Sequence, residues 1–433
     1  MSHKNVFCPA LLITAPASGH GKTSVTAGIA RFYNRQGLKV RCFKTGPDFI
    51  DPTILAKASG HAVYNLDSWI MGSEHCQQLL YEAASQSDLI LVEGVMGLFD
   101  GDPSSADLAE LFGLPIVPVI DASAMAQTFA AILYGLSTFR SSINVLGSVA
   151  NRVASPRHGE LLKMNIQENM PLALLKRNAD VSLPSRHLGL QLAEEISGID
   201  QQLDLLANAL SDTWLAKLPE PVKFSIPKNK SQPPVSSLQN TTIAVARDRA
   251  FCFLYEQNLN CLRTLGATLV FFSPLEDEKL PEADAIYLPG GYPELYAKQL
   301  AENLTLKKDI VDHAARSKPI LAECGGMLFL SEALVDSTGE QHKMLDIMPG
   351  IVTMKTKLTA IGSQLVLIDQ QEIRGHTFHY SSLENSMPVF SQAKHVDGRI
   401  GEAVYRLNRV TASYLHLYFP SNPKLTAELF LSN

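Results

Sequence analysis

The chain of 433 residues has no apolar run long enough to cross a bilayer, no cysteine pair in C-x-x-C spacing and no surplus of basic residues. The first absence excludes a helical membrane span, which needs about 20 apolar residues. The short apolar run Val6–Ile13 also lacks a small-residue cleavage pattern, so it is not expected to be a signal peptide. The six cysteines, Cys8, Cys42, Cys76, Cys252, Cys261 and Cys324, are scattered. That argues against a zinc site and for a reducing, cytoplasmic setting. A net charge of -6 makes nucleic acid and anionic membrane poor partners, so a polyanionic substrate would need positive charge gathered locally. With 46% hydrophobic and 18% charged residues, the composition is that of an ordinary globular protein whose length accommodates two or three domains.

What is present begins at Ala10-Leu-Leu-Ile-Thr-Ala-Pro-Ala-Ser-Gly-His-Gly-Lys-Thr-Ser24. Leu11–Ile13 reads as a buried parallel strand and Val25–Tyr33 as a helix, with Ser18-Gly19-His20-Gly21-Lys22-Thr23 between them. In that context the glycines let backbone N–H groups close on phosphate oxygens. The helix N-terminus adds its positive end, Lys22 reaches the outer phosphates and Thr23 can hold Mg²⁺. Pro16 stands where the usual first glycine would be, so the entry turn is a variant one; an accidental glycine-rich turn is the alternative.

Gly37–Lys44 reads as a turn and second strand, followed at its carboxyl end by Lys44-Thr-Gly-Pro-Asp-Phe-Ile-Asp-Pro52. Ligands bind along that edge in open α/β sheets, so Asp48 and Asp51 are candidates to hold a metal-nucleotide or orient a reacting group. Asp51-Pro52 also reads as a helix N-cap with proline at the first helical position, whereas Asp48 has no such alternative. Leu89–Val92 is a buried strand ending in Glu93 among glycines; Glu93 is a candidate Mg²⁺ ligand beside Thr23 and Asp48, with Asp100 second, and a solvated strand-end acid is the other reading. Further strand patterns at Leu114–Asp121 and Val145–Asn151, separated by the helical Met125–Phe139, point to a doubly wound parallel sheet. Asn151-Arg152 and Leu183–Gly189 could touch base or substrate, although spacing alone assigns them nothing.

Five prolines between Leu218 and Ser237 mark a linker, after which a second α/β pattern begins at Thr242–Ala246 and Thr268–Phe272. Pro319-Ile-Leu-Ala-Glu-Cys-Gly-Gly-Met-Leu-Phe-Leu330 places Cys324 on a sharp strand-to-helix turn, where the thiol is exposed to substrate and the helix N-terminus favours the thiolate. A small buried hydrophobe is the alternative for any lone cysteine. Backbone N–H groups near Gly291, in Leu-Pro-Gly-Gly-Tyr-Pro-Glu294, and at Gly325 could form an oxyanion hole. His416 is the choice of base; His376 and His379 are rivals that look like part of a substrate-facing loop, and a core histidine is the alternative for all three.

Taken together, Ser-Gly-x-Gly-Lys-Thr, Lys-Thr-Gly-Pro-Asp-Phe-Ile-Asp-Pro, Val-Glu-Gly-Val-Met-Gly-Leu-Phe-Asp-Gly, Leu-Pro-Gly-Gly-Tyr-Pro-Glu and Ala-Glu-Cys-Gly-Gly-Met resemble, in order, the motifs of the cobyrinate a,c-diamide synthase family. The resemblance implies an α/β fold of two domains, each with a mostly parallel sheet flanked by helices. Residues 1–220 would be a P-loop amidoligase domain similar to dethiobiotin synthetase, 221–240 a linker and 241–433 a class I glutamine amidotransferase domain. It implies that Asp48, Asp51 and Glu93 serve the synthetase site, that Cys324 attacks glutamine and that His416 activates Cys324. ATP and Mg²⁺ are the implied cofactors. The a and c acetates of a corrin ring are the implied substrate groups, at two ATP and two glutamine per product. Partners would be small molecules, corrinoid, glutamine and ATP, with a homodimer as the candidate assembly. Two departures stand out: Tyr418 occupies the position where most class I glutaminases carry Glu, which points to a dyad, and Thr377 replaces a frequent carboxylate. The runner-up substrates are hydrogenobyrinate, a nickel-sirohydrochlorin and cobyrate. From another class, a partitioning-type ATPase would need an extra lysine where Ala17 stands and would have no use for Cys324.

Overall fold

The computed structural model describes residues 5–178, 181, 192–227 and 237–431, so Leu183–Gly189 lies outside the described residues. The chain divides into two compact units, Met1–Lys230 and Ser231–Asn433.

In the first unit the strands are β1 (Asn5–Thr14), β2 (Val40–Thr45), β3 (Tyr64–Leu66), β4 (Leu89–Glu93), β5 (Ile116–Asp121), β6 (Ser148–Val153), β7 (Leu172–Lys176) and β8 (Pro221–Ser225). The helices are α1 (Lys22–Arg35), α2 (Asp51–Ser59), α3 (Ser73–Ala84), α4 (Ser105–Phe112), α5 (Thr128–Thr138), α6 (Pro156–Lys163) and α7 (Ile199–Leu210). The sheet order β3-β2-β4-β1-β5-β6-β7 is parallel throughout. Continuous apolar runs suit such a sheet because helices cover both faces: every residue of β4 is buried. Ile29, Leu55 and Leu91 belong to the core on one face and Phe43, Leu80 and Ile90 to the core on the other. The carboxyl ends of β1, β2 and β4, adjacent in the sheet, therefore present the phosphate loop, the Asp48 loop and Glu93 along one edge.

The second unit contains β9 (Thr242–Ala246), β10 (Thr268–Phe272), β11 (Ala285–Leu288), β12 (Ile320–Glu323), β13 (Ser331–Val335), β14 (Gln341–Lys343), β15 (Met348–Met354) and β16 (Ala360–Ile368). It continues with β17 (Gln371–His379), β18 (Ser381–Glu384), β19 (Ser391–His395), β20 (Ile400–Leu407), β21 (Val410–Ser413) and β22 (His416–Leu417). Its helices are α8 (Glu256–Thr264), α9 (Ala297–Glu302), α10 (Leu304–Ala315), α11 (Gly325–Leu330) and α12 (Pro423–Phe430). The main sheet runs β10-β9-β11-β12-β21-β20-β19-β16-β17-β22, and β14-β13-β15-β18 form a smaller sheet. The parallel character expected of this half holds from β10 to β21 and gives way to antiparallel pairing beyond. Short connections such as Asp369-Gln370 between β16 and β17 permit only hairpins, whereas the parallel strands are joined through helices. The segment Arg374–Ser381, expected as a loop, lies mostly within β17, with His376 and His379 both buried. Among the described residues no helix is long and apolar enough to cross a membrane.

Of the segment 221–240 read as linker, the first five residues form a strand instead, and 228–236 lie outside the described residues. Residues Pro221–Ser225 form β8, which pairs antiparallel with the N-terminal half of β1 from Asn5↔Ser225 to Pro9↔Pro221. Alternation explains why periodicity was faint: Phe224 is buried and packs into the core with Cys8, while Lys223 is exposed and Ser225 partly so. Phe224→Ala in the full chain is expected to destabilise the first unit by about 3 kcal/mol, read by denaturant unfolding. A surface linker would leave stability unchanged.

Candidate active sites

At the end of β1 the chain turns through Gly19 and Gly21, whose φ values are +84° and +94°, and Gly21 caps α1 without a side-chain hydrogen bond. The first N–H groups of α1 are thus left facing the loop by a cap that offers no competing acceptor. Ser18 lies on this loop. Lys22 Nζ folds over it and donates to the carbonyls of Ala17 at 3.1 Å and Met96 at 2.6 Å. Asn151, which spacing could not assign, donates to His20 O at 2.9 Å, and His20 Nδ1 accepts from the Asp121 amide at 2.8 Å. Asn151 and Asp121 therefore brace the loop from the ends of β5 and β6. Arg152 pairs with Asp121.

Thr23 Oγ1 donates to Glu93 Oε1 at 2.8 Å. Glu93 is fully buried, which removes the reading of it as a solvated strand-end acid. Sequence reasoning missed Lys44. It lies beside Glu93 in the β2–β4 register and is fully buried. Its ammonium lies 2.9 Å from Glu93 Oε1, 2.9 Å from Asp51 Oδ2 and 3.9 Å from Asp48 Oδ2. The available signal was a lysine at the buried end of a strand and four residues before Asp48. Asp48 takes the capping role expected of Asp51 through one oxygen, while its other oxygen stays on the Lys44 side. Asp48 Oδ1 accepts from the Ile50 and Asp51 amides at 2.9 and 3.1 Å, so Asp48 ties down the start of α2, whereas Asp51 turns inward to Lys44. The N-cap residue of α2 is Ile50. Asp100 Oδ2 accepts from the Gly97 amide at 3.0 Å, bracing its own loop.

In the second unit Cys324 stands between β12 and α11 at φ +44°, ψ −107°, with its amide donating to Ser413 O at 2.7 Å. A non-glycine residue in that conformation is a strained elbow of the kind that presents a nucleophile. Close packing holds it. A Cβ on Gly325 would lie 2.9 Å from the Gly291 nitrogen, and one on Gly290 would lie 2.3 Å from His416 Cε1. The diglycine turn after β11 thus touches the elbow on one side and the imidazole on the other, which brings Cys324, His416, Gly291 and Gly325 to one place.

His416 is buried, pairs in register with His376 and stacks on it at 4.9 Å between ring centroids. Burial pushes its pKa well down, and His376 and His379 add to this, so the ring is a neutral acceptor at ordinary pH. Tyr255 Oη lies 3.1 Å from His376 Nδ1. His379 stacks on Tyr414 at 3.7 Å and lies 3.1 Å from Glu402, which also accepts from Thr377. The expectation that the helix N-terminus would favour the Cys324 thiolate is reversed here. Burial pushes the thiol up, the nearby Glu294 carboxyl adds to this, and α11 has only six residues. Glu294 is itself raised to about 7 by burial.

Glu323, next to Cys324, was also missed. One oxygen accepts from Tyr287 Oη at 2.8 Å and the other from the Leu417 amide at 3.0 Å; Asn258 bonds both Leu417 O and the Phe419 amide. These bonds fix the backbone on the far side of His416, and Tyr418, buried between them, packs edge-on against Tyr255.

Burial raises Glu323 to about 8. Its folded state holds the proton more tightly than the unfolded chain, so stability is lost as pH climbs from the ordinary carboxyl range towards 8. Glu323→Gln is expected to flatten that loss, narrowing the difference in melting temperature between pH 5 and pH 8 relative to the parent. An unchanged difference would show that Glu323 is ionised at neutral pH.

Residues 11–190 match the family described as the CobQ/CobB/MinD/ParA nucleotide binding domain, and residues 242–424 match the CobB/CobQ-like glutamine amidotransferase domain. Over 424 residues the chain is 51% identical to the hydrogenobyrinate a,c-diamide synthase of Stutzerimonas stutzeri, covering 98% of each chain. It is 50% identical to the enzyme of that name from Pseudomonas aeruginosa, covering 98% of this chain and 97% of the relative. It is 47% identical over 427 residues to the cobyrinate a,c-diamide synthase of Herminiimonas arsenicoxydans, covering 97% and 96%. A nucleotide-binding unit and a glutaminase-type elbow in one chain, with relatives near half identity along their whole length, place the protein in the family of cobyrinate and hydrogenobyrinate a,c-diamide synthases.

Proposed function

We propose that the protein amidates the a and c acetate carboxylates of cobyrinate, using ATP and the amide nitrogen of glutamine, in cobalamin biosynthesis. The observation that carries this reading is the Cys324 elbow, packed with His416 around one diglycine turn, in the same chain as a Lys22–Thr23–Glu93 phosphate site. Carboxylate and amine do not condense in water unaided. A substrate carboxylate oxygen therefore attacks the γ-phosphorus of ATP, ADP leaves, and the acyl phosphate loses phosphate when ammonia attacks its carbonyl carbon. Lys22 and the N-terminus of α1 stabilise charge on the migrating phosphoryl group.

Thr23, Glu93 and Asp48 supply the hard oxygen donors that Mg²⁺ prefers, and among the described residues Glu93 Oε2 is buried with no hydrogen-bond partner. These residues would hold Mg²⁺, which neutralises phosphate charge when bound. Asp51 would keep Lys44 and the loop in place.

Ammonia comes from glutamine. His416 takes the thiol proton as Cys324 sulfur attacks the amide carbon, and the Gly291 and Gly325 amides receive the developing oxyanion. His416 returns that proton to the amide nitrogen, ammonia leaves, and water hydrolyses the thioester to glutamate. A raised thiol pKa beside a neutral imidazole favours proton transfer coupled to attack over a standing thiolate. The free state of all six cysteines agrees with a cytoplasmic setting. A second reading, the cobalt-free ring as substrate, draws support from the hydrogenobyrinate name of the relatives at 51% and 50% identity. Parallel turnover of both rings decides it.

Cys324→Ser is expected to abolish glutamine hydrolysis and glutamine-dependent amidation together, while ammonium salt at mildly alkaline pH restores ATP-dependent amidation. Absence of rescue in a folded, ATP-binding variant would overturn the two-site reading. Gly290→Ala, which places a methyl against His416, is expected to show the same pattern, with ammonia-dependent turnover near that of the parent.

A further inference from the structure

A lysine with no exposed surface, held by three acidic side chains, needs a reason. Taking an ammonium out of water costs several kcal/mol unless its partners repay it, and the same holds for each carboxylate left beside another. Lys44 supplies the counter-charge: its Nζ lies 2.9 Å from Glu93 and Asp51, 3.9 Å from Asp48, and 3.3 Å from Gly94 O. Glu93 Oε1 is shared between this ammonium and the Thr23 hydroxyl. Asp48 lies on the loop after β2 and Asp51 opens α2, while Glu93 comes from the end of β4, so only the tertiary fold brings the third acid to the other two. Three carboxylates and one ammonium leave a net of two negative charges, which one divalent cation neutralises.

We infer that Lys44 is a resident counter-cation of the carboxylate trio, which keeps Asp48, Asp51 and Glu93 gathered before the metal-nucleotide arrives and weakens divalent-ion binding in its absence. The inference rests on the assignment of Thr23, Glu93 and Asp48 as metal-holding residues. By this account the trio binds a free divalent ion poorly because the ammonium already occupies part of its field. The nucleotide's phosphates then supply the attraction that Lys44 offsets, so metal enters with ATP rather than ahead of it.

The test is titration of the nucleotide-free full chain with Mn²⁺, followed by electron paramagnetic resonance, together with thermal unfolding with and without Mn²⁺. Lys44→Gln and Lys44→Met remove the charge. Each is expected to bind Mn²⁺ about tenfold more tightly than the parent. Each should also melt lower without metal and gain more on adding it; Lys44→Arg, which keeps the charge, should retain the parent's affinity. Equal or weaker Mn²⁺ binding by a folded Lys44→Gln protein overturns the inference. If both charge-removing variants unfold without metal, recovery of the fold on adding Mn²⁺ supports it and failure to recover counts against it. Glu93→Gln separates the two assignments: parent-like Mn²⁺ affinity in that variant means that the trio is not the metal site, whatever Lys44 does.

Discussion

Ionised groups taken out of water must find compensation within a few ångströms, and both candidate sites are shaped by that requirement. In the first unit the compensation is direct, with Lys44 between Asp51 and Glu93 and the Thr23 hydroxyl on the same Glu93 oxygen. In the second unit burial instead favours neutral forms. Glu294 and Glu323 are raised towards neutrality, the Cys324 thiol is raised and His416 is lowered. One site therefore gathers charged groups around a buried ammonium, while the other keeps its thiol, imidazole and carboxyls in their neutral forms.

The frame that permits this is the same in both units. Parallel strands buried on both faces end along one edge, where the chain turns from strand to helix and its side chains and amides meet a ligand. Adjacent strands set the spacing. In the first unit β1, β4 and β2 bring Thr23, Glu93 and Lys44 together; in the second β11, β12 and β21 bring the diglycine turn, Cys324 and the approach to His416 together. The antiparallel extension serves the glutaminase differently: β17 holds His376 against His416 and, through His379, stacks on Tyr414.

With no carboxylate at residue 418, His416 is held in another way. Tyr418 gives no carboxylate, and the segment is secured through its backbone, by Glu323 on the Leu417 amide and Asn258 on Leu417 and Phe419. Such a clamp fixes where the imidazole sits without adding negative charge to it, in keeping with its lowered pKa.

The local features of the sequence were enough for the elements themselves: apolar runs for β1 and β4, glycines where backbone must approach backbone, the phosphate loop and the Cys-Gly-Gly elbow. Each depends on neighbours within a few residues, so composition and spacing carry it. The Lys44–Glu93 pair and the roles of Glu323 and Asn258 were not legible, because these partners lie 49, 94 and 159 residues apart and only the tertiary fold brings them together. The same reason explains why Asp48 rather than Asp51 ties down the start of α2, since a cap and an ion-pair partner look alike until the fold places the Lys44 ammonium 2.9 Å from Asp51. Phe224 and the β17 histidines were hidden by faint alternation, which becomes strand only when an edge is available to pair with. Sequence alone determined which chemistry each half can attempt. Tertiary structure decided which charges survive burial, because burial and counter-charge are properties of the packed sheet rather than of the chain.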